Sequence, residues 1–137
     1  MTEIAQIDIH RALLARVDAL SMSPMPVVLW PGFPAMQADY WLRVTHLPNI
    51  PDRIGVNASS PLRHSGILQL DLMNELGRHE VVYIDRAQDI IDHFPQDLVL
   101  TQGAARITVL RSYAIGGRST GDHWMIPIRV NYAVTSA

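Results

Sequence analysis

Six histidines, His10, His46, His64, His79, His93 and His123, carry most of the chemistry this sequence has to offer. Their spacing gives a metal little to hold. No two stand at i, i+2 or i, i+4, and no HExxH-type pattern occurs, so a ligand set local in sequence is absent and no metal site is expected. His10 falls on the apolar side of the first helix, where a packed histidine with a satisfied hydrogen bond is the expected role. His64-Ser65-Gly66 resembles part of a nucleophile site, but there is no G-x-S-x-G, and Asp71 on the following strand is not marked as an orienting acid. Gly116 to Asp122 holds three glycines with Arg118, Ser119 and Thr120. A phosphate loop needs a lysine and a following helix, and here neither follows, so a hairpin connection is expected. With no cysteine, disulfides, thiolate ligands and cysteine nucleophiles are excluded, which suits a cytosolic protein. Neither a catalytic residue nor a cofactor is assigned.

Composition narrows the classes further. The 137 residues suffice for one domain, with 48% hydrophobic and 18% charged residues, an ordinary globular balance. A net charge of −2 gives no general attraction to nucleic acid or to an anionic membrane. No apolar run approaches the roughly 20 residues needed to span a bilayer, and Met1-Thr2-Glu3-Ile4 does not open a secretory signal. All eleven basic residues are arginine. A GC-rich coding genome accounts for that bias most simply, while arginine's fork also suits interface pairing. The arginines are spread through helices, strands and loops with acidic residues among them, and no aromatic–basic alternation marks a strand-binding surface.

The elements follow from periodicity. Ile9, Leu13, Val17 and Leu20, flanked by Ile7 and Leu14, predict a first helix capped near Thr2, with Asp8, Arg11 and Asp18 facing away. Val27 to Trp30 reads as a short buried strand, broken by Pro31-Gly32-Phe33-Pro34. Tyr40 to Leu47 alternates as a second strand, and Gly66 to Met73 as a third, with Leu68, Leu70 and Leu72 on one face. These two make a long hairpin across the polar excursion Pro48 to Arg63. Tyr83, Ile84, Ala87, Ile90, Ile91 and Phe94 define a second helix, stopped by Pro95. Ala104 to Tyr113 and the long run Trp124 to Val134 close the chain as strands, with a short one near Asp97 to Thr101. Grouped strands with short links predict an α+β domain over residues 1–137, a mainly antiparallel sheet with both helices on one face.

The hairpin makes the chain recognisable. Tyr40-Trp41-Leu42-Arg43-Val44, Leu47-Pro48-Asn49 and Arg63-His64-Ser65-Gly66-Ile67-Leu68-Gln69-Leu70 resemble the phage tail-completion proteins, in which a Leu-Pro-Asn-like turn precedes an R-x-x-G-I-L-Q strand. His93-Phe94-Pro95 and Gly121-Asp122-His123-Trp124-Met125-Ile126-Pro127-Ile128, similar to a G-D-x-W-x-x-P-V strand, continue the likeness, which runs nearly the whole chain. The family looks like the tail terminators of lambda-like long-tailed phages, with relatives in prophages and gene transfer agents. The resemblance implies a virion tail protein made in the bacterial cytoplasm. It implies a hexameric ring that caps the tail tube protein, presents a surface to head-completion or connector proteins, and lets DNA through its lumen without reading sequence. No catalytic residue or cofactor comes with it, and no membrane.

Partner-facing residues are then expected at Trp30 and Phe33 in the Pro/Gly loop, and at Arg43, Arg53 and Arg63 on the hairpin. These arginines would pair with Asp85, Asp89 or Asp92 on a neighbour's second helix. Another head–tail joining or tail protein is the nearest alternative. A small enzyme or a ligand-binding module, requiring a pocket with convergent polar groups, is the reading from outside that class.

Overall fold

The computed structural model describes residues 4–34, 38–53 and 62–136. In chain order they form α1 (Gln6–Asp18), β1 (Val27–Leu29), β2 (Trp41–Pro48), β3 (Asp52–Arg53), β4 (Leu62–Glu75), α2 (Glu80–His93), β5 (Val99–Gln102), β6 (Ala105–Ala114), β7 (Arg118–Ser119) and β8 (His123–Ser136). The strands join in the order β1-β2-β4-β8-β6-β5, with β3 on β4 and β7 on β8. Every pairing is antiparallel except β1 with β2. This is the expected α+β arrangement. At its centre lie two 14-residue strands, β4 and β8, in register from His64 opposite Val134 to Glu75 opposite His123.

Alternation along these strands builds the core. Leu68, Leu70 and Leu72 of β4, Ile126, Ile128 and Val130 of β8, and Ile107 and Val109 of β6 all point to one face. Ile9, Leu13 and Val17 of α1 and Tyr83, Ala87 and Ile90 of α2 pack onto them there. Both helices therefore share one sheet face. Each fully buried aliphatic side chain contributes about 1.5–3 kcal/mol of transfer free energy.

Several details differ from the sequence expectation. The expected cap at Thr2 lies outside the described residues, and Ala5 at the N-cap position makes no side-chain cap. Ile7 is 53% exposed and Ile84 is 56% exposed. In α2 the inward stripe runs through Tyr83, Arg86, Ala87 and Ile90, so Arg86 occupies the flank expected of Ile84. Val27, expected inside a buried strand, is exposed because β1 is an edge with a single neighbour. The Pro48–Arg63 excursion is shorter than it reads, since Asp52 pairs with Arg63 and Arg53 with Leu62. Its remainder, 54–61, lies outside the described residues.

Two sequence features find physical causes in the sheet. A Cβ on Gly66 would lie 2.5 Å from Tyr132 Oη and 2.9 Å from the Leu47 carbonyl oxygen, so only glycine lets β2, β4 and β8 close there. Pro127 sits inside the central strand β8, where proline normally costs a ladder bond. Its carbonyl accepts from Ile115 N at 2.8 Å just past the end of β6, so the missing N–H would have pointed to the last rung of that ladder.

Arg86 fixes α2 to the sheet. It is 6% exposed, donates to both Glu75 carboxylate oxygens at 3.0 and 3.1 Å and to Asn74 Oδ1 at 3.1 Å, and lies 4.3 Å from the Tyr40 ring centroid. Asn74, fully buried, passes the link on by donating to the Trp124 carbonyl. Arg78 Nε also donates to Glu75, and Tyr83 Oη donates to the Glu75 carbonyl. Burial pushes the Glu75 carboxyl up, but the hydrogen bonds from Arg86 and Arg78 prevail and hold it near 2.

Glu75→Ala leaves a buried guanidinium without its counter-ion, and chemical denaturation should register a loss of about 2–4 kcal/mol. Because the folded carboxyl titrates below its unfolded value, its contribution is complete above about 4.5 and disappears as pH falls toward 2. The acid limb of the stability–pH curve should therefore flatten in Glu75→Gln. Gly66→Ala forces a methyl against backbone that cannot retreat, and its denaturation midpoint should drop by the equivalent of about 1–3 kcal/mol.

Candidate assembly surfaces

The face of the sheet away from the helices is where the arginines collect. Residues directly opposed in a ladder share a face, and Arg43 opposes Asp71, Asp71 opposes Pro127, Gln69 opposes Arg129, and Arg129 opposes Tyr113. Arg111 opposes Asn131, Arg106 opposes Thr135, and Arg118 opposes Met125 on the same side. Arg63 lies two residues before Ser65 on that side of β4. Arg43, Arg63, Arg106, Arg111 and Arg118 are exposed and Arg129 is half-buried.

Carboxylates on this face are few. Asp71 is 2% exposed and already taken by two hydrogen bonds from Arg43, at 2.9 and 3.1 Å, and one from Gln69. Asp52 stands across from Arg63, and Glu75 at the end of β4 belongs to Arg86 and Arg78. Among the described residues, Arg106, Arg111, Arg118 and Arg129 form no ion pair with a carboxylate. The Nε of Arg129 and the Oδ1 of Asn131, two residues apart on this face, are buried without a hydrogen-bond partner.

The helix side has the opposite sign. Glu80, Asp85, Asp89 and Asp92 are exposed along α2, whose one arginine, Arg86, points inward. None of these four carboxylates is ion-paired among the described residues, though Asp92 accepts from Gln88 at 2.7 Å. A 15.3 kDa chain with a net charge of only −2 thus carries a basic sheet face and an acidic helix face.

The expected partner-facing residues do not share one environment. Asp85, Asp89 and Asp92 lie together on the exposed face of α2, and Arg63 is exposed on the hairpin. Arg43 has a partner inside its own chain, Asp71, while keeping 47% of its side chain exposed. The Arg53 backbone pairs in β3, and its side chain is outside what the structure describes. Trp30 is half-buried against the main core, whereas Phe33 is 68% exposed. Both border a cavity of about 500 Å³ at the hairpin base, with His10, His46, Arg43 and Pro48. Sequence reasoning missed Arg106, Arg111, Arg118 and Arg129. Alternation within β6 and β8 places some of them on a polar face, but only the pairing register puts them on the same face as Arg43.

Histidine chemistry at that cavity is structural. His10 Nδ1 and His46 Nδ1 are 3.0 Å apart with stacked rings, and His46 Nε2 is hydrogen-bonded to Tyr132 Oη. Burial first, then the proximity of His10, pushes His46 down to about 4, while burial pushes Tyr132 up to about 12. The result is a hydrogen-bond chain that plugs the hairpin base. No group of three or more histidines or carboxylates is placed to hold a metal among the described residues, and no described helix is long and apolar enough to cross a membrane. The Gly116–Asp122 segment is a hairpin connection, as expected, with β7 paired to β8.

A family model described as "Phage tail terminator protein" matches residues 8–132. One solved structure aligns over 96% of this chain and 96% of its own, with a TM-score of 0.78 and 20% identity, a likeness of fold. No curated protein matches the sequence.

Because the His46 imidazole titrates below its unfolded value, the folded protein binds fewer protons than the unfolded chain between about 6.5 and 4. Stability should be complete above about 6.5 and fall as the pH drops through that window. Thermal melts should show this slope in the wild-type chain and a shallower one in His46→Gln.

Proposed function

The chain belongs to the phage tail terminator family, and from that premise we propose that it caps the head-proximal end of the tail tube as a closed ring. Its class is that of phage tail assembly proteins and its place the virion tail. Ring closure ends tube polymerisation, and the ring then presents its outer surface to the head-completion or connector proteins, with DNA passing through the lumen. Six subunits is the copy number that the family resemblance implies. The role is steric and interfacial rather than catalytic.

The observation that carries this reading is the separation of charge between the two faces of one subunit. In a cyclic ring each contact is heterologous, so a patch on one subunit meets a different patch on its neighbour. A chain with a basic sheet face and an acidic helix face has two such patches. The sheet stands between Arg43 and Arg63 on one side and Asp85, Asp89 and Asp92 on the other, and none of these is ion-paired to another within the chain among the described residues. A second copy can supply to each face the charge that one subunit keeps apart from it. Arg43 and Arg63 on one copy, with Arg53 at the hairpin, and Asp85, Asp89 and Asp92 on the next are the charges we place at that contact. Phe33 and Trp30 beside the cavity at the hairpin base supply its apolar part. A tube or joining protein of the same assembly would share these surfaces but differ in copy number per particle.

Light scattering over a range of protein and salt concentrations tests the ring. The expected mass is roughly six times the subunit, about 92 kDa, decreasing as salt screens charges beyond a Debye length of ~8 Å at 0.15 M. A monomer at every concentration, together with no binding to purified tail tubes, overturns the reading.

A further inference from the structure

A cavity of about 290 Å³ opens on the arginine face between the β7 segment and the centre of the sheet, bordered by Arg43, Gln69, Asp71, Arg118, Pro127 and Arg129. Its floor is electrically closed. Asp71 is buried, its charge is met by Arg43, and it accepts one further hydrogen bond from Gln69 while forming no ion pair with Arg118 or Arg129. These two guanidinium groups have no carboxylate partner among the described residues, and the buried Arg129 Nε has no acceptor at all. A buried donor left without a partner is costly, and a guanidinium fork fits a carboxylate with two parallel hydrogen bonds.

We propose that this cavity is a carboxylate socket, with Arg118 and Arg129 as its prongs, that receives an acidic side chain from the outer face of α2 on an adjoining copy of the chain. The proposal rests on the ring reading for the identity of the occupant. It moves the anchor of the contact from the hairpin arginines to the middle of the sheet. Charge complementarity selects the occupant. Asp85 and Asp89 stand one helical turn apart on the exposed face of α2 without ion-pair partners among the described residues. The α2 residues that face the 114–117 segment beside the socket of their own subunit include Glu80, Ile84 and Gln88 but not these two. Nucleic acid fits less well. A recess of about 290 Å³ admits a single protruding side chain, whereas a continuous phosphate backbone runs along a surface. The same face also carries apolar Leu47 and Val99, 46% and 40% exposed, as protein interfaces do.

The absence of cysteine gives a clean test on the full chain. In the double variant Ser119→Cys/Asp92→Cys, one thiol lies beside the socket and one within the acidic stripe, on the part of α2 that does not face the 114–117 segment of its own subunit. Mild oxidation should give a ladder of covalent oligomers extending beyond the dimers formed by either single variant. Adding Arg118→Glu and Arg129→Glu should reduce that ladder at least tenfold, and adding Asp85→Arg and Asp89→Arg on top should restore it. Thermal melts check that each variant folds. If Arg129→Glu does not, exposed Arg118→Glu alone carries the test with a smaller loss. A double-cysteine ladder no longer than the single-variant controls, or one indifferent to the charge reversals, overturns the socket.

Light scattering on the same proteins separates this result from the ring reading. A sixfold mass retained by Arg118→Glu/Arg129→Glu overturns the socket and leaves the ring to another contact. A monomeric wild type whose crosslink still forms and still depends on charge upholds the socket and removes spontaneous ring closure. If Arg118→Glu weakens binding of a short DNA duplex while leaving the crosslink unchanged, the occupant is a phosphate and the proposal is overturned.

Discussion

Arg86 is the pivot of this fold. A guanidinium on the inward face of α2 is tolerable only because Glu75 and Asn74, successive residues at the end of β4, meet it with three hydrogen bonds. Breaking such a buried pair costs more than the pair contributes, because the remaining charge stays out of water. The interaction therefore acts less as added stability than as a restriction on geometry. It sets where α2 begins, which way its acidic stripe faces, and how β4 and β8 align at the Trp124 end. Once α2 is fixed there, Tyr83, Ala87 and Ile90 cover the sheet, and Glu80, Asp85, Asp89 and Asp92 are left outward.

The other end of the sheet is set by steric fit. Gly66 lets the Tyr132 hydroxyl and the Leu47 carbonyl approach more closely than any side chain would allow. The space it leaves is filled by the Tyr132–His46–His10 hydrogen-bond chain, which ties β8, β2 and α1 together. A reciprocal contact then joins the helix ends, with Arg16 donating to the His93 carbonyl and His93 bonded to the Arg16 carbonyl. Both helices are held on one face by directional polar contacts as well as by the core, and no described helix covers the opposite face.

That uncovered face gives the molecule its polarity. In a strand, alternate residues go to opposite faces, so a polar residue at every second position costs nothing while the other face packs. At one end of the uncovered face Trp41, Met73 and Met125 form a second, small apolar cluster with Leu29, and much of the rest is arginine, serine, threonine, asparagine and glutamine, with Asp71 neutralised by Arg43. The exposed acids of α2 lie on the helix side. The tail terminator family to which the chain belongs assembles with other tail components, and a subunit with two oppositely charged faces is suited to such contacts.

The sequence by itself determined the elements and the core. Period-two runs in β4 and β8 and the apolar stripes of both helices are local signals, and burial follows from them because apolar area must leave water. The hairpin, the sharing of one sheet face by the helices, the hairpin nature of the Gly116–Asp122 segment and the family resemblance were all legible this way. Tertiary structure alone decided what sits beside what. Arg43, Arg63, Arg106, Arg111, Arg118 and Arg129 look scattered along the chain, and only the strand register gathers them on one face. Arg86 looks like a solvated helix residue because its partners, Asn74 and Glu75, are reached through a turn whose course no local pattern encodes. Ile84 and Ile7 look buried because a helical stripe fixes a helix's apolar side only to within a residue's width, and the exact rotation is settled by the neighbour it packs against. Periodicity is a property of one segment, whereas charge pairing and surface polarity depend on distances between segments, which exist only once the sheet has formed.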